Sequence, residues 1–520
     1  MNYQSTRNAA QIADSVHAVL EGLAPDGGLY IINGLPALGF DWRSTLNMTT
    51  MEMASAILKT LLPDFEGMDE LVERAYRGRF STDELTPLVR VGDRYVLELF
   101  HGPTSAFKDV ALSMLPQLIM QARKQTGMTD EIVILTATSG DTGKAALAGF
   151  CDVPGTRIIV FYPENGVSRV QKAQMVTQSG KNVTVCGIRG NFDDAQTGVK
   201  NAFSACADGT LLAGKGARLS SANSINIGRL APQVVYYFKA YAELVRQGRI
   251  KAGEPVDYVV PTGNFGDILA GYFAKQLGLP VGRLVCASNR NDVLTEFLQT
   301  GVYDRRREFY RTCSPSMDIL VSSNLERLLY LLCGDRAEVA GYMEQLRTDG
   351  VYRVSDRMLA RLHEEFWPGC CDDAATLDTI GRVWRETGYL MDTHTAVAWR
   401  VAEAYETACR GAEEYETACR GEHRSPATLR CPSAGEQCSP LQTPVVVLST
   451  ASPYKFPAAV LSALGENPPE DEFAAMERLH ELTGAPVPPN LAGLRQQPVR
   501  HSDVIEKEEI LNYVLEKVDS

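Results

Sequence analysis

The stretch HGPTSAFKDVAL, residues 101–112, sets a single lysine, Lys108, between an aromatic ring and a carboxylate, just after the apolar run YVLELF. An ammonium group gives up its hydration only at a cost, so a lysine at the edge of an apolar run needs a partner or a task. The plain reading is a solvated helix start with Asp109 as the neighbour. Two further stretches suggest a task. In TATSGDTGKAALAGF, residues 136–150, the apolar strand EIVIL runs into small residues and then an Ala-rich helix, which makes an anion cradle of amides, hydroxyls and a positive helix end. PTGNFGDILAGYF, residues 261–273, repeats that logic after the strand YVV, with Gly263 and Gly266 letting the backbone approach a ligand and a helix beginning near Asp267. In VVVLSTASPYKF, Thr450 follows another apolar strand. Taken singly, each cradle also reads as an ordinary turn and N-cap, and Thr450 as a turn cap. Two cradles at equivalent strand-to-helix positions, in a chain with an oddly placed lysine, argue for a site, because ligands in open α/β sheets bind beyond the carboxyl ends of the strands. A lysine, two anion cups and a neutral hydroxyl suit pyridoxal 5′-phosphate. The lysine forms a Schiff base, one cup takes the cofactor phosphate, the other a substrate carboxylate, and the hydroxyl faces the pyridine nitrogen. The string GDTGK is not a nucleotide P-loop: Gly140 and Gly143 are too close for GxxxxGK, and Ala145 stands where a Ser or Thr is required.

Such residues need elements to hold them. A chain of 520 residues divides into two to four domains. From about residue 95 short β-rich runs alternate with helical stretches, YVLELF, EIVILTA, RIIVFY and NVTVCGI, as in a parallel sheet with helices on its faces. A second series begins at PVDYVVPTG, continues with GRLVCAS and resumes far downstream with PVVVLSTAS. The expectation is therefore an α/β protein with two open parallel-sheet domains and the cofactor between them. A mostly helical N-terminal region over 1–94 precedes a first α/β domain over 95–235 carrying Lys108, and a second over 236–520 carries the phosphate loop. The second includes an exposed insertion near 405–442, where YETACRG occurs twice at a spacing of ten, followed by a Pro- and Ser-rich stretch. The net charge of −13 speaks against a nucleic-acid partner and requires any anionic substrate to be held by a locally positive pocket. Twelve scattered cysteines without a CxxC signal neither a zinc site nor a disulfide framework. No apolar run reaches membrane-spanning length and the first residues carry no signal-peptide pattern, so a soluble cytoplasmic protein is expected.

HGPTSAFKD, TSGDTG, PTGNFGD and STASPYKF, together with APDGGLY, NSINIGRLAPQ and LMDTHTAVA, run in order from about residue 4 to about 465 and resemble the motif set of threonine synthase, a fold-type II pyridoxal phosphate family. The longer bacterial and fungal type is the most similar. The resemblance implies conversion of O-phospho-L-homoserine and water to L-threonine and phosphate, by a monomer or homodimer. It makes Lys108 the Schiff-base lysine, with Phe107 beside the cofactor and Asp109 helping to start the next helix. Gly263, Asn264, Phe265 and Gly266 would wrap the cofactor phosphate. Ser139, Asp141 and Thr142 would lie near the substrate carboxylate and the cofactor ring hydroxyl, and Thr450 would face the pyridine nitrogen. Asn223, Ser224, Asn226 and Arg229 would complete the substrate pocket, with Ser323 and Asn324 as further candidates and Arg229 as the clamp for the substrate phosphate. The sequence departs from the family's usual strings at Asp267 (commonly Asn), Ser452 (frequently His) and Thr393 (frequently Pro). Three rivals stand beside this reading: a phospho-lyase giving a 2-oxo acid and ammonia, another fold-type II enzyme such as a hydroxy-amino-acid dehydratase, and a catalytically silent relative.

Overall fold

The computed structural model describes residues 3–35, 39–138, 140–206, 209–421 and 443–519. Two parallel sheets organise them. One has five strands in the order Asp503–Glu506, Val183–Arg189, Thr156–Pro163, Glu131–Ala137 and Ala217–Ser221, with every neighbouring pair parallel. The other has six, in the order Phe366–Cys370, Val281–Ser288, Val256–Pro261, Val445–Ser449, Arg94–Glu98 and Leu88–Val91, with only the last pair antiparallel. Every residue of Val256–Pro261 and of Val445–Ser449 is buried. That is why both are rich in apolar residues on either face: helices cover both sides of the sheet.

Strand membership cuts across the linear division at residues 95 and 236. YVLELF was expected to open the same series as EIVILTA, yet Arg94–Glu98 pairs with Val445–Ser449 in the larger sheet. Arg94–Glu98 also turns back on Leu88–Val91 through the two residues Gly92 and Asp93, with Gly92 at φ +59°, so this hairpin forms the edge of the larger sheet. The strand Asp503–Glu506, near the end of the chain, crosses in the other direction to the edge of the smaller sheet.

In the N-terminal region the helices Thr50–Leu61 and Met68–Tyr76 stand where apolar spacing places them. Thr49 and Glu52 close a reciprocal capping box at the first. A small antiparallel sheet of Ile12–Ala13, Tyr3–Ser5 and Tyr30–Ile32 accompanies them. Their apolar face is continuous with the main core: Met53, Ile57, Leu61 and Val72 belong to one cluster with Val110, Leu115, Tyr237 and Tyr258. Among the described residues no helix is long and apolar enough to cross a membrane.

Candidate active site

Lys108 is the first residue of the helix Lys108–Thr126 and is buried. The loop before it is locked from both sides. Asp109 accepts hydrogen bonds from Thr104 N at 2.8 Å and Thr104 Oγ1 at 2.5 Å, drawing the loop onto the helix start. The loop also pairs with the segment after Val445–Ser449: Phe107 N donates to Thr450 O at 2.8 Å, Ser452 N donates to Ser105 O at 3.1 Å, and Ala106 bridges Ala451. Lys108 and Thr450, more than three hundred residues apart in the chain, are thereby brought together. The Lys108 ammonium lies 5.2 Å from the centre of the Phe107 ring and 4.0 Å from Asp141 Oδ2. Burial lowers its pKa to about 8 against the pull of Asp141, with Arg229 and Lys455 lowering it further.

Asp141 opens the helix Asp141–Phe150, which follows the strand Glu131–Ala137. Thr138 Oγ1 accepts from Gly140 N at 2.9 Å and from Gly143 N at 2.8 Å, folding the turn onto the helix. Gly140 sits at φ +135°, and a Cβ there would come within 2.4 Å of the Gln171 side chain. That same Gln171 donates Nε2 to Asp141 Oδ1 at 2.9 Å. Burial pushes the Asp141 carboxyl up, but Lys455 and then Lys108 more than offset it and hold the group well below the usual carboxylate range. Lys455, in STASPYKF, has no signal in its own segment that marks it for the site, yet it is fully buried with Nζ 2.6 Å from Asp141 Oδ1. Thr142 lies half-buried in the first turn of the helix, and Ser139 lies outside the described residues.

The second cradle follows Val256–Pro261. Phe265 is held in the left-handed region at φ +61° directly before the helix Gly266–Gln276. A non-glycine residue is strained there, and surrounding bonds fix it. Ser322 Oγ donates to Gly263 O at 2.9 Å, and Asn324 donates both N and Nδ2 to Asn264 O at 3.1 Å. Ser323 Oγ reaches Asn264 Oδ1 at 3.4 Å. Ser323 and Asn324 thus shape the turn. Gly263 is needed for close approach, since a Cβ would stand 3.1 Å from Ser316 O. A Cβ on Gly266 would meet Asn324 Nδ2 at 3.6 Å and Ser224 Cβ at 3.8 Å, so Ser224 faces this turn. Asn226 spends its amide on structure: Oδ1 caps the helix Ile227–Leu230 by accepting from Gly228 N at 2.9 Å, and Nδ2 donates to Val19 O and Ser221 O.

Three buried polar atoms of this region have no hydrogen-bond partner among the described residues: Asn223 Oδ1, Arg229 Nε and Asp267 Oδ2. Arg229 is almost wholly buried and donates NH1 to Ala222 O at 2.9 Å, and burial lowers its pKa to about 10 against the pull of Asp267. Asp267 Oδ1 accepts from Ile268 N at 2.9 Å, and burial raises its carboxyl to about 7. An unmet buried polar atom costs roughly 1–3 kcal/mol. A polar ligand that reaches these atoms removes that cost.

The sequence matches three family models: pyridoxal-phosphate dependent enzyme over residues 84–364, threonine synthase N terminus over 2–76, and threonine synthase C-terminal over 432–514. It is 39% identical over 478 residues to threonine synthase of Pseudomonas aeruginosa, covering 90% of this chain and 92% of that protein. The chain belongs to the threonine synthase family of pyridoxal-phosphate dependent enzymes. It is also 40% identical over 401 residues to human threonine synthase-like 1, covering 74% of this chain and 54% of that protein. The chain thus spans about half the length of the threonine synthase-like 1 proteins it matches. The structure of pyridoxal-phosphate-bound threonine synthase from Brucella melitensis superposes with a TM-score of 0.80 at 36% identity, covering 100% of this chain and 99% of that one. Yeast threonine synthase gives 0.79 at 31%, covering 99% and 98%. The family's cofactor fits the residues present here. The Lys108 amine is buried without a close ion pair, a glycine turn backs onto a helix start, and Arg229 and Asp267, whose charges act on Lys108, each keep an unmet buried polar atom.

Proposed function

We propose that this chain converts O-phospho-L-homoserine and water to L-threonine and phosphate, holding pyridoxal 5′-phosphate through Lys108 and the turn Gly263–Asp267. The observation that carries this reading is a buried lysine amine, lowered to about pKa 8, that lies 4.0 Å from Asp141 and feels the charge of buried Arg229. The cofactor, when bound, supplies an electron sink for a carbanion beside the substrate amine. Everything else falls to side chains. Lys108 Nζ, whose pKa burial lowers to about 8, gives up its proton more readily than an exposed lysine and can take a proton from carbon and return it. Phe107 stands beside that nitrogen, and the paired segment 450–452 fixes the backbone of the loop that carries it. The amides at the start of Asp141–Phe150, with Thr142 in its first turn, receive the substrate carboxylate. Arg229, with Nε unmet, is the buried cation placed to grip the substrate phosphate and then to hold the released ion. Asn223 and Ser224 precede Arg229 on the same segment, and Thr450, whose carbonyl accepts from Phe107 N, would supply the neutral hydroxyl for the cofactor ring.

The test is product identification. Purified protein incubated with O-phosphohomoserine should release phosphate and L-threonine in equal amounts, and Lys108→Ala should abolish both together with the visible absorbance of the cofactor. Phosphate accompanied by a 2-oxo acid and ammonia instead would assign a phospho-lyase.

A further inference from the structure

Lys455 has no part in the proposed reaction, yet it is more deeply buried than Lys108. It closes the short turn Pro453–Lys455 after the strand Val445–Ser449. Its ammonium lies 2.6 Å from Asp141 Oδ1 and donates to Thr104 O at 3.1 Å. One charge thus ties the loop before Lys108 to the start of the helix Asp141–Phe150. Burying a second ammonium beside Lys108 and Arg229 forfeits its hydration, which an apolar side chain of similar length would avoid.

Asp141 explains the choice. Its two oxygens are shared between two lysines, Lys455 at 2.6 Å on Oδ1 and Lys108 at 4.0 Å on Oδ2. Its remaining partners, Gln171 Nε2 at 2.9 Å and Ser316 Oγ at 3.2 Å, are neutral and cannot balance a buried carboxylate. Were Lys455 absent, the nearest cation would be Lys108. An ammonium drawn into a close ion pair is neither a nucleophile nor a base. We propose that Lys455 is a positioning residue that occupies the Asp141 carboxylate and so leaves the Lys108 amine without a close ion pair. The charged groups facing Lys108 are Asp141, Arg229, Lys455 and Asp267, and those around Lys455 include Asp109 and Lys144. Among the described residues, Asp141 is the charged group paired with both lysines. Its charge favours the Lys108 ammonium and that of Lys455 disfavours it, so the two variants that remove them act in opposite directions.

The inference rests on Lys108 being the residue that takes up pyridoxal phosphate, and capture of that cofactor by the cofactor-free full chain tests it. The rate at which the visible band appears, followed against pH, titrates the amine that attacks, with a midpoint near 8 in the parent. In Lys455→Met the midpoint should rise by about one pH unit or more, in Lys455→Arg it should stay with the parent, and in Asp141→Asn it should fall. An unmoved midpoint in a folded Lys455→Met, or a shift in Lys455→Arg as large as in Lys455→Met, overturns the proposal. If Lys455→Met does not fold by circular dichroism, the other two variants decide, and an unmoved midpoint in Asp141→Asn overturns it. A Lys108→Ala chain that still acquires the band would instead overturn the cofactor assignment, leaving the two failures distinct.

Discussion

At the scale of single residues, Arg229 and Asp267 carry the most specific consequences. Arg229 is not a surface cation at a helix start, because it is buried with one nitrogen committed to Ala222 O and another unmet. If that nitrogen grips the substrate phosphate, Arg229→Lys retains charge and loses the planar fork, while Arg229→Ala loses both. Steady-state kinetics on O-phosphohomoserine should fall in the order parent, Lys, Ala, with kcat/KM down at least about tenfold for Ala, or about 1.4 kcal/mol. Cofactor absorbance should persist in both variants, and normal kinetics in Arg229→Ala would move the clamp elsewhere. Asp267 makes a prediction about pH. Its carboxyl rises from an ordinary value near 4 to about 7, and burial is the largest cause. Between those values the native state keeps a proton that the unfolded chain has released, so stability falls as pH rises through that window. Asp267→Asn carries no such proton. Thermal melts should therefore show the variant gaining on the parent between about pH 5 and about pH 8, by on the order of 1–4 kcal/mol at the upper end. Parallel melting profiles would show that the carboxyl ionises unhindered. The sequence pointed to both residues, Arg229 by type and Asp267 by its departure from Asn. The orphaned atoms that give them meaning depend on packing and were not visible in it.

At the scale of elements, what was legible was local. The strand, small-residue turn and helix start at Asp141 and at Gly266 are signalled by neighbouring residues, and both form where the pattern sets them. Lys455 was not legible as a partner, because nothing within its own segment shows that residue 141 lies opposite. The repeat shows the same limit. Expected within an exposed insertion, its first copy instead lies in the helix Thr393–Gly421 and packs inward. Tyr405 is buried and donates its hydroxyl to Asp257 Oδ2 at 2.8 Å, Cys409 is buried, and Glu406 pairs with Arg94. A spacing of ten does not keep one helical face, so pattern alone could not say which copy faces the core. Residues 422–442, the rest of the expected insertion, lie outside the described residues. Excising 405–414 brings YETACRG of the second copy to the position of the first and restores the same inward residues. Activity and cofactor binding should stay within a few-fold of the parent, since loop shortening changes closure entropy by only about 0.6 kcal/mol per doubling. Tyr405→Ala, by contrast, should lower the melting temperature, having removed a buried ring worth roughly 3–5 kcal/mol. Equal stability of the two variants would show that the first copy is not part of the core.

At the scale of the whole molecule, the site depends on two sheets that the chain visits out of order. The Asp141 cradle rides on the five-stranded sheet, and Lys108, Thr450 and the Gly263 turn ride on or beside the six-stranded one. Which sheet a strand joins is a long-range pairing, set by no residue in the strand itself, and for that reason YVLELF and the strand Asp503–Glu506 escaped the linear reading. The second of these carries a consequence far from the site. Asp503–Glu506 covers the edge of Val183–Arg189, and the helix Ile510–Asp519 behind it buries Ile510, Tyr513 and Val514 against Phe161, Ile188 and Val199. Packing there is close: a Cβ on Gly198 would stand 2.2 Å from Ile510 Cδ1, and Tyr513 and Phe161 meet edge to face at 5.9 Å. Each such side chain contributes roughly 1.5–3 kcal/mol by burial, and removing the strand also bares an unpaired edge. Truncation after Arg500 should lower the melting temperature by at least about 5 °C and increase aggregation, although no residue of the site is touched. Differential scanning calorimetry of the truncated and full chains checks this, and coincident transitions would mean that the smaller sheet stands without its last strand.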